Sequence, residues 1–474
     1  MATTRTKTQV RKGLGRDLKR FLPSHSVLTD AEDLFSYRSD ATADLAQGNP
    51  EAVVLCESTG DVSSVMGYAF QHGIPVTPRG AGSGLSGGCT PLHGGIVLDM
   101  KRLNHILEIN RGNMTASAEA GVVLARFKKE LAGQNLFYPP DPQSAEVCTL
   151  GGNVATRAGG PRGVKYGTTG NYILGLELVL PDGDIVQTGG TCVKQSVGYD
   201  LTHLLCGSEG TLGVITRVHL RILPLPPVNR TAVVTCDSPE QAAALVSDII
   251  AAGTVPAMME FLTVMAVMLI NTFVSPPLPM DGAAYLLLDI DGTEAQVSQD
   301  IRTLTSLCLE KKAKDVRVVS DPKETAAYWR GRASLYPLAL TMARKLITED
   351  VTVPRDRLPA FVKRVGEISA ALGMIIGIAG HAGDGNMHPS MLLPDVTEAS
   401  LQKAQKAIAG VIRAGLNLGG TISGEHGIGL HKAEFIEWEL GKNQIALMKR
   451  IKAAFDPKNI MNPGKIWPEG ASKP

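Results

Sequence analysis

Short apolar runs framed by glycine-rich breaks set the rhythm of the first half of the chain. Asp61 to Gly73 has helical character ending in glycine, Ile74 to Thr77 is extended, and Ile96 to Asp99 reads as a strand. Gly175 to Leu180 and Ile185 to Thr188 flank Pro181-Asp182-Gly183-Asp184 and predict a hairpin. In the second half, Phe261 to Val274 is the longest uncharged apolar run; a membrane span needs about 20 residues, so this run predicts a buried helix. Met374 to Ala379 and Met391 to Leu393 are β-rich and enclose a Gly-Asp-Gly turn, a second hairpin. Ser400 to Leu418 carries a helical pattern that stops at Gly419-Gly420. Met1 to Arg20 is basic, with Asp17 its only acid, and predicts a frayed helix. Proline-rich joints at Pro224 to Pro227 and Pro276 to Pro279 mark candidate boundaries, and nothing repeats at a solenoid period.

The second hairpin carries the chemistry. Gly380-His381-Ala382-Gly383-Asp384-Gly385-Asn386-Met387-His388 is completed by Ser423-Gly424-Glu425-His426-Gly427. A loop centred on Asp384-Gly385 sets His381 opposite His388, with Cβ atoms roughly 4.5–5.5 Å apart, a spacing that suits two imidazoles on one ion. Glu425 can reach them because the helix before it ends at glycine and its loop folds back. The residues alone leave two readings open: a metal site, or ordinary hairpin histidines beside a solvated turn.

Three glycine clusters dominate the front half. Pro78-Arg79-Gly80-Ala81-Gly82-Ser83-Gly84-Leu85-Ser86-Gly87-Gly88 satisfies Gly-x-Gly-x-x-Gly, but the Rossmann fingerprint needs a helix directly afterwards and a strand follows here. Closely spaced backbone N–H groups can still wrap a pyrophosphate. The second cluster runs from Pro139-Pro140-Asp141-Pro142 through Thr149-Leu150-Gly151-Gly152-Asn153-Val154-Ala155 and Gly159-Gly160 to Tyr166-Gly167; the third is Cys206 to Ile215. Loops framed by short strands describe an α+β nucleotide cradle.

Together these segments resemble the vanillyl-alcohol-oxidase type of flavoprotein, in the branch of glycolate oxidase flavin subunits, D-lactate dehydrogenases and D-2-hydroxyglutarate dehydrogenases, from about Ala52 to Trp467. The resemblance implies an α+β fold: a two-part FAD-binding domain (PCMH type) over residues 1–228, a ferredoxin-like cap over 229–420, and a segment over 421–474 that returns to the FAD domain through Asn462-Pro463-Gly464-Lys465. It places FAD against Pro78, Arg79, Gly80, Ala81, Gly82, Ser83, Gly84, Ser86, Pro140, Asp141, Thr149, Gly152, Asn153, Ala155, Gly159, Tyr166, Glu209, Gly210, Gly213, Ile215 and Asn462. No histidine lies between Arg79 and Gly88, so non-covalent flavin is expected. It further implies one divalent metal, Zn or Mn, on His381, His388 and Glu425, with His426 as general base for hydride transfer to flavin N5 and Arg332, or Arg330, clamping the substrate carboxylate. His388-Pro389-Ser390 is closer to the glycolate and D-lactate enzymes than to hydroxyglutarate dehydrogenases, which favours a small 2-hydroxy acid. Two alternatives stand beside this: a D-2-hydroxyglutarate dehydrogenase, and a non-catalytic FAD subunit of an oxidase complex.

Composition narrows the partners. The 474 residues carry 47 Lys plus Arg against 46 Asp plus Glu, so no global field recruits nucleic acid. Seven cysteines without a Cys-x-x-Cys pair argue for reduced thiols and against a self-contained iron–sulfur site. A cytoplasmic protein, or one peripheral to the inner membrane, is expected, with a homodimer compatible. A partner or diffusible acceptor must then take the electrons, and the resemblance implies a quinone, a cytochrome, an electron-transfer flavoprotein or an iron–sulfur companion subunit.

Overall fold

The computed structural model describes residues 13–42 and 47–468. Of the expected N-terminal helix, Leu14–Leu18 is helical, and the part up to residue 12 lies outside the described residues. Strands β1 (Val27–Leu28), β2 (Ala52–Leu55), β3 (Val76–Arg79) and β4 (Ile96–Asp99) form a sheet ordered β1-β2-β4-β3, in which β4 runs parallel to β2 and β3. Parallel neighbours need a crossover, and the helix Thr59–His72 supplies it between β2 and β3. Ser58 starts that helix, its hydroxyl accepting from Asp61 N at 3.1 Å while the Asp61 carboxylate accepts from Ser58 N at 3.0 Å. Gly73, at φ 62°, ends it in the left-handed region. The consequence is directional: β3, the last strand of this sheet, delivers Pro78-Arg79 straight into the first glycine loop.

A second sheet is antiparallel. It takes β5 (Ile106–Asn110), β6 (Thr115–Glu119), β8 (Ile173–Val179), β9 (Ile185–Gly189) and β10 (Val214–Arg221) in the order β5-β6-β10-β8-β9, while β7 (Leu136–Phe137) pairs with β11 (Leu223–Pro224). The β8–β9 hairpin is the one predicted around Pro181 to Asp184. The second glycine cluster departs from a loop: Leu150–Thr156 is helical. Thr149 caps it, its hydroxyl accepting from Gly152 N at 3.2 Å, and a Cβ at Gly151 would stand 2.6 Å from that of Ala120. Glycine is there for close packing of helix on strand, which composition alone reads as a loop.

The third sheet takes β12 (Val228–Cys236), β13 (Met258–Thr263), β14 (Ala284–Gly292), β15 (Asp315–Val319), β16 (Lys345–Thr348), β17 (Val351–Thr352), β18 (Ile376–His381) and β19 (Asn386–Leu393). Its order is β15-β12-β14-β13-β18-β19-β16, with β17 on β19. The unit β12, helix Pro239–Ala251, β13, β14, helix Glu294–Glu310, β15 has the strand order and antiparallel pairing of a ferredoxin-like split β-α-β, and the histidine hairpin β18–β19 extends it. The run from Phe261 is not all helix. Phe261 to Thr263 close β13, a strand hydrogen-bonded on both edges, and the helix covers only Val264–Asn271. A central strand covered on both faces shows an unbroken apolar run that periodicity cannot separate from a helix.

The C-terminal segment closes onto the first sheet. Val76 N donates to Ile460 O, and Asn462 N donates to Val76 O, each at 2.7 Å. Lys452 anchors this return from inside: its Nζ donates to Asp456 Oδ2 at 2.5 Å, Thr211 O at 2.7 Å and Met461 O at 2.8 Å. Removing one partner of such a buried pair leaves a desolvated charge, so Lys452→Ala should cost about 3–5 kcal/mol in chemical denaturation of the FAD-loaded protein; a loss below about 1 kcal/mol would show that this ammonium is not an anchor.

Candidate active site

A single elongated cavity runs between the glycine clusters. Pro78, Arg79, Gly80, Ala81, Gly82, Ser83, Gly84 and Ser86 line it from one side, and Thr149, Gly152, Asn153, Ala155, Gly159, Glu209, Gly210, Gly213 and Ile215 from the other. Glu425 and His426 stand on its wall as well. Arg79 stays out of the way, its guanidinium donating to Ser39 O at 2.7 Å and Ser36 O at 3.2 Å. A Cβ at Gly82 (φ 73°) would lie 2.2 Å from that guanidinium, so the loop can turn there only as glycine. Asp40 also faces the cavity, with Oδ2 buried and without a hydrogen-bond partner, and burial raises its pKa. An isolated acid in an N-terminal stretch gives no sequence signal for this position.

Three parts of the chain meet around Glu425. Glu425 Oε1 lies 3.2 Å from His381 Nε2, 3.4 Å from His388 Nε2 and 3.9 Å from His426 Nε2. The ligand atoms of His381, His388 and Glu425 all fall within 4.8 Å of one another. The histidines are not directly opposed, as a loop centred on Asp384-Gly385 would have them. His381 pairs with Asn386 and His388 with Ala379, because the turn spans Ala382 to Gly385 and shifts the register by two. Side-chain period two keeps both imidazoles on one face, as diagonal neighbours with ring centroids 5.1 Å apart.

Backing groups fix each ring. His381 Nδ1 lies 2.7 Å from Glu260 Oε1, and Glu260 Oε2 lies 2.5 Å from Arg332 Nη2. His388 Nδ1 lies 3.3 Å from Glu349 O, a carbonyl that can only accept, so Nδ1 carries a proton and Nε2 is the ring atom turned to Glu425. The His426 ring stacks on His388 at 5.2 Å with an 8° tilt. Burial works against a charge on His381, yet Glu260 and Glu425 outweigh it and hold its pKa well above the ordinary imidazole value. Burial likewise opposes ionisation of Glu425, and His381 and His388 overcome it, lowering its pKa. At His426 burial wins over Asp350 and lowers the pKa, so this ring is neutral with a free lone pair. Glu425 Oε2 is buried without a hydrogen-bond partner, as is Arg332 Nε. A carboxylate that turns Oε1 to two imidazole nitrogens and leaves Oε2 without a partner is a donor set that fits a small divalent cation.

Several expected cofactor contacts stand elsewhere. Asp141 is taken by Lys128 at 2.5 Å and Arg162 at 3.6 Å, and Pro140 O accepts from Lys128 Nζ at 3.2 Å. Tyr166 points its hydroxyl at Asp291 Oδ2 at 2.7 Å, tying the second glycine cluster to β14. Asn462 lies behind the wall, its Nδ2 donating to Gly88 O at 2.7 Å and Glu209 O at 2.9 Å. These four and Arg332 do not line the cavity. The resemblance carried Pro140, Asp141 and Tyr166 into the expectation, whereas the partners that hold them, Lys128 and Asp291, come from other parts of the chain.

Residues 50–189 match the family described as FAD binding domain, and residues 225–466 match FAD linked oxidases, C-terminal domain. The chain belongs to the FAD-linked oxidases. Across 92% of its length it is 39% identical to glycolate oxidase subunit GlcD of Bacillus subtilis, covering 93% of that protein. It is 35% identical to a D-lactate dehydrogenase of Anaerostipes hadrus over 93% of this chain and 94% of that one. p-Cresol methylhydroxylase shares the fold at TM-score 0.80 and 17% identity, over 100% of this chain and 99% of the other; 4-ethylphenol oxidase from Gulosibacter chungangensis does so at 0.78 and 19%, over 99% of each. This FAD-linked oxidase therefore has a PCMH-type flavin fold with an α+β cap, and is an FAD-dependent oxidoreductase. Among the described residues no helix is long and apolar enough to cross a membrane.

Asn462 sets a test of the cradle. Asn462→Asp is nearly isosteric and tolerates the residue's φ of 44°, but turns a donor into an acceptor facing two carbonyl oxygens. Lost hydrogen bonds of this kind cost about 1–3 kcal/mol, so the variant should unfold at lower denaturant and purify with less bound flavin; wild-type flavin content and stability would show that the bridge is dispensable.

Proposed function

We propose that this FAD-linked oxidase oxidises a small D-2-hydroxy acid, glycolate or D-lactate, to the 2-oxo acid with the help of one divalent ion, Zn or Mn. The observation that carries this reading is the convergence of His381 and His388 on Glu425, which with His426 stands on the wall of the cavity. The names of the relatives, glycolate oxidase subunit and D-lactate dehydrogenase, support the substrate class. His381, His388 and Glu425 would hold the ion. When bound, the ion supplies Lewis acidity to the substrate's hydroxyl and carboxylate oxygens, and FAD supplies the two-electron acceptor.

The chain's own residues divide the remaining work. His426 receives the substrate's hydroxyl proton at Nε2, the ring atom that faces the cluster. Its lowered pKa keeps that nitrogen free to accept. Arg332 is held by Glu260 and stands behind the cavity wall, so its buried, unpartnered Nε would have to turn into the cavity to clamp the substrate carboxylate by a charge-assisted hydrogen bond. Glu260 and the carbonyl of Glu349 hold the tautomers of His381 and His388. Reduced flavin then needs an outside oxidant: a quinone, a cytochrome, an electron-transfer flavoprotein or an iron–sulfur companion. The word subunit in the names of the Bacillus subtilis and Escherichia coli relatives supports a companion chain.

Two outcomes test the assignment. His388→Ala, or chelation of the wild type, should abolish flavin reduction by D-lactate and glycolate while FAD stays bound, since the cradle lies in other loops; full activity in verified metal-free protein sinks the metal. His426→Ala should keep FAD and metal but slow flavin reduction about 10²–10⁴-fold, the usual share of a positioned proton acceptor. An unchanged stopped-flow rate at saturating substrate removes His426 from the chemistry.

A further inference from the structure

The segment Ser423–Gly429 crosses between the two halves of the molecule with little regular structure, yet nearly all its backbone donors have buried acceptors. Asp350, fully buried just beyond β16, takes four donors on Oδ2: Ser423 Oγ at 2.8 Å, Gly424 N at 3.0 Å, Glu425 N at 3.0 Å and His426 N at 2.9 Å. Its Oδ1 accepts from Asn386 Nδ2 at 2.6 Å. From the flavin side, Glu209 Oε1 accepts from Ile428 N at 2.9 Å and Oε2 from Gly429 N at 2.7 Å. One carboxylate belongs to the cap sheet's strand connections and the other to the third glycine cluster.

We infer that Asp350 is the positioning residue that aims Glu425 and His426 into the flavin cavity, with Glu209 holding the far end of the same segment. This rests on the proposed roles of Glu425 and His426. A carboxylate that accepts three consecutive N–H groups forces them to converge, and the side chains of Glu425 and His426 leave that convergence toward His388. Lys432, also buried, secures the clamp from behind by donating to Asp350 O at 2.8 Å and Ile422 O at 2.6 Å. Asp350 does not line the cavity; it acts through the backbone it holds, and its carboxylate also comes within 4.8 Å of a ring nitrogen of His388 and of His426.

The experiment compares FAD-loaded wild type, Asp350→Asn, the swap Asp350→Asn with Asn386→Asp, and Glu209→Gln. An asparagine at 350 can still turn an oxygen to the backbone amides, but its amide then faces the donor of Asn386; the swap replaces that donor with an acceptor. Three readouts are taken: zinc affinity by chelator competition, the rate of flavin reduction by D-lactate and glycolate, and amide hydrogen exchange. Asp350→Asn should lower zinc affinity about 10–100-fold, the usual effect of losing a partner behind a ligand, slow flavin reduction with little change in KM, and speed exchange selectively at 424–426. The swap should recover much of all three. Glu209→Gln should speed exchange at 428–429 and lower zinc affinity less. Wild-type zinc affinity, reduction rate and exchange in a folded, flavin-bearing Asp350→Asn protein would overturn the proposal, as would a swap that recovers nothing. If wild type binds no zinc and still reduces its flavin, the metal reading falls, while exchange at 424–426 still decides the clamp.

Discussion

The cavity end depends on one buried carboxylate that its surroundings stabilise from only one side. Glu425 sits among three imidazoles, ionised because His381 and His388 offset the burial that would neutralise it, and its second oxygen has no partner at all. Desolvating a carboxylate costs several kcal/mol unless charges or hydrogen bonds return it, so the groups around it must be held in place by other buried charges. Glu260 serves His381 and is itself held by Arg332; Asp350 and Glu349 flank Lys432. Each charge in this shell has a partner drawn from a different strand or loop, and the shell holds only when β13, β18, β19 and the stretch after β16 lie side by side. Chemistry thus sets a requirement on the sheet: the hairpin must be added to the ferredoxin-like unit along β13 rather than along β15.

The flavin half obeys a different constraint. Its walls are backbone, and backbone can approach a ligand closely only where side chains are missing. Gly159 illustrates the meeting of the two halves, since a Cβ there would lie 2.8 Å from Glu425 Oε2. The glycine therefore serves the metal-like cluster as much as the cradle, and the two sites share a wall. Asn462 and Glu209 tie that wall to the chain's return, so that the glycine loops, the C-terminal segment and the Ser423–Gly429 crossing close together.

The periodicity of the chain exposed the elements whose faces differ and missed those whose faces are alike. The helix Thr59–His72 and the hairpin β8–β9 are legible because one face is wet or a turn is marked by glycine and aspartate. β13 is not, because it is covered on both faces, and Leu150–Thr156 is not, because its glycines exist for packing against Ala120. Spacing correctly put His381 and His388 on one face but not opposite one another, since parity survives a change of turn length and register does not. Asp350, Glu260, Glu349 and Asp40 left no mark in the sequence. A single buried acid has no spacing to betray it, and its partners arrive through tertiary contacts separated by tens or hundreds of residues.

Fold likeness and site chemistry separate cleanly in this molecule. The phenol-oxidising structures share the whole architecture at 17% and 19% identity, which carries the scaffold and says nothing of the reaction. The site chemistry of this chain has to be read from where its own cap sheet presents polar side chains. Glu260 lies within a strand whose other residues are Met, Phe and Leu up to a closing Thr263, a position that would be apolar if only packing mattered. Its burial is tolerable because Arg332 and His381 neutralise and hydrogen-bond it from two sides, and that same arrangement orients His381 toward Glu425. A polar residue in the middle of a core strand thus links sheet packing to the geometry of the side-chain cluster at the cavity wall, to which the cap contributes His381 and His388.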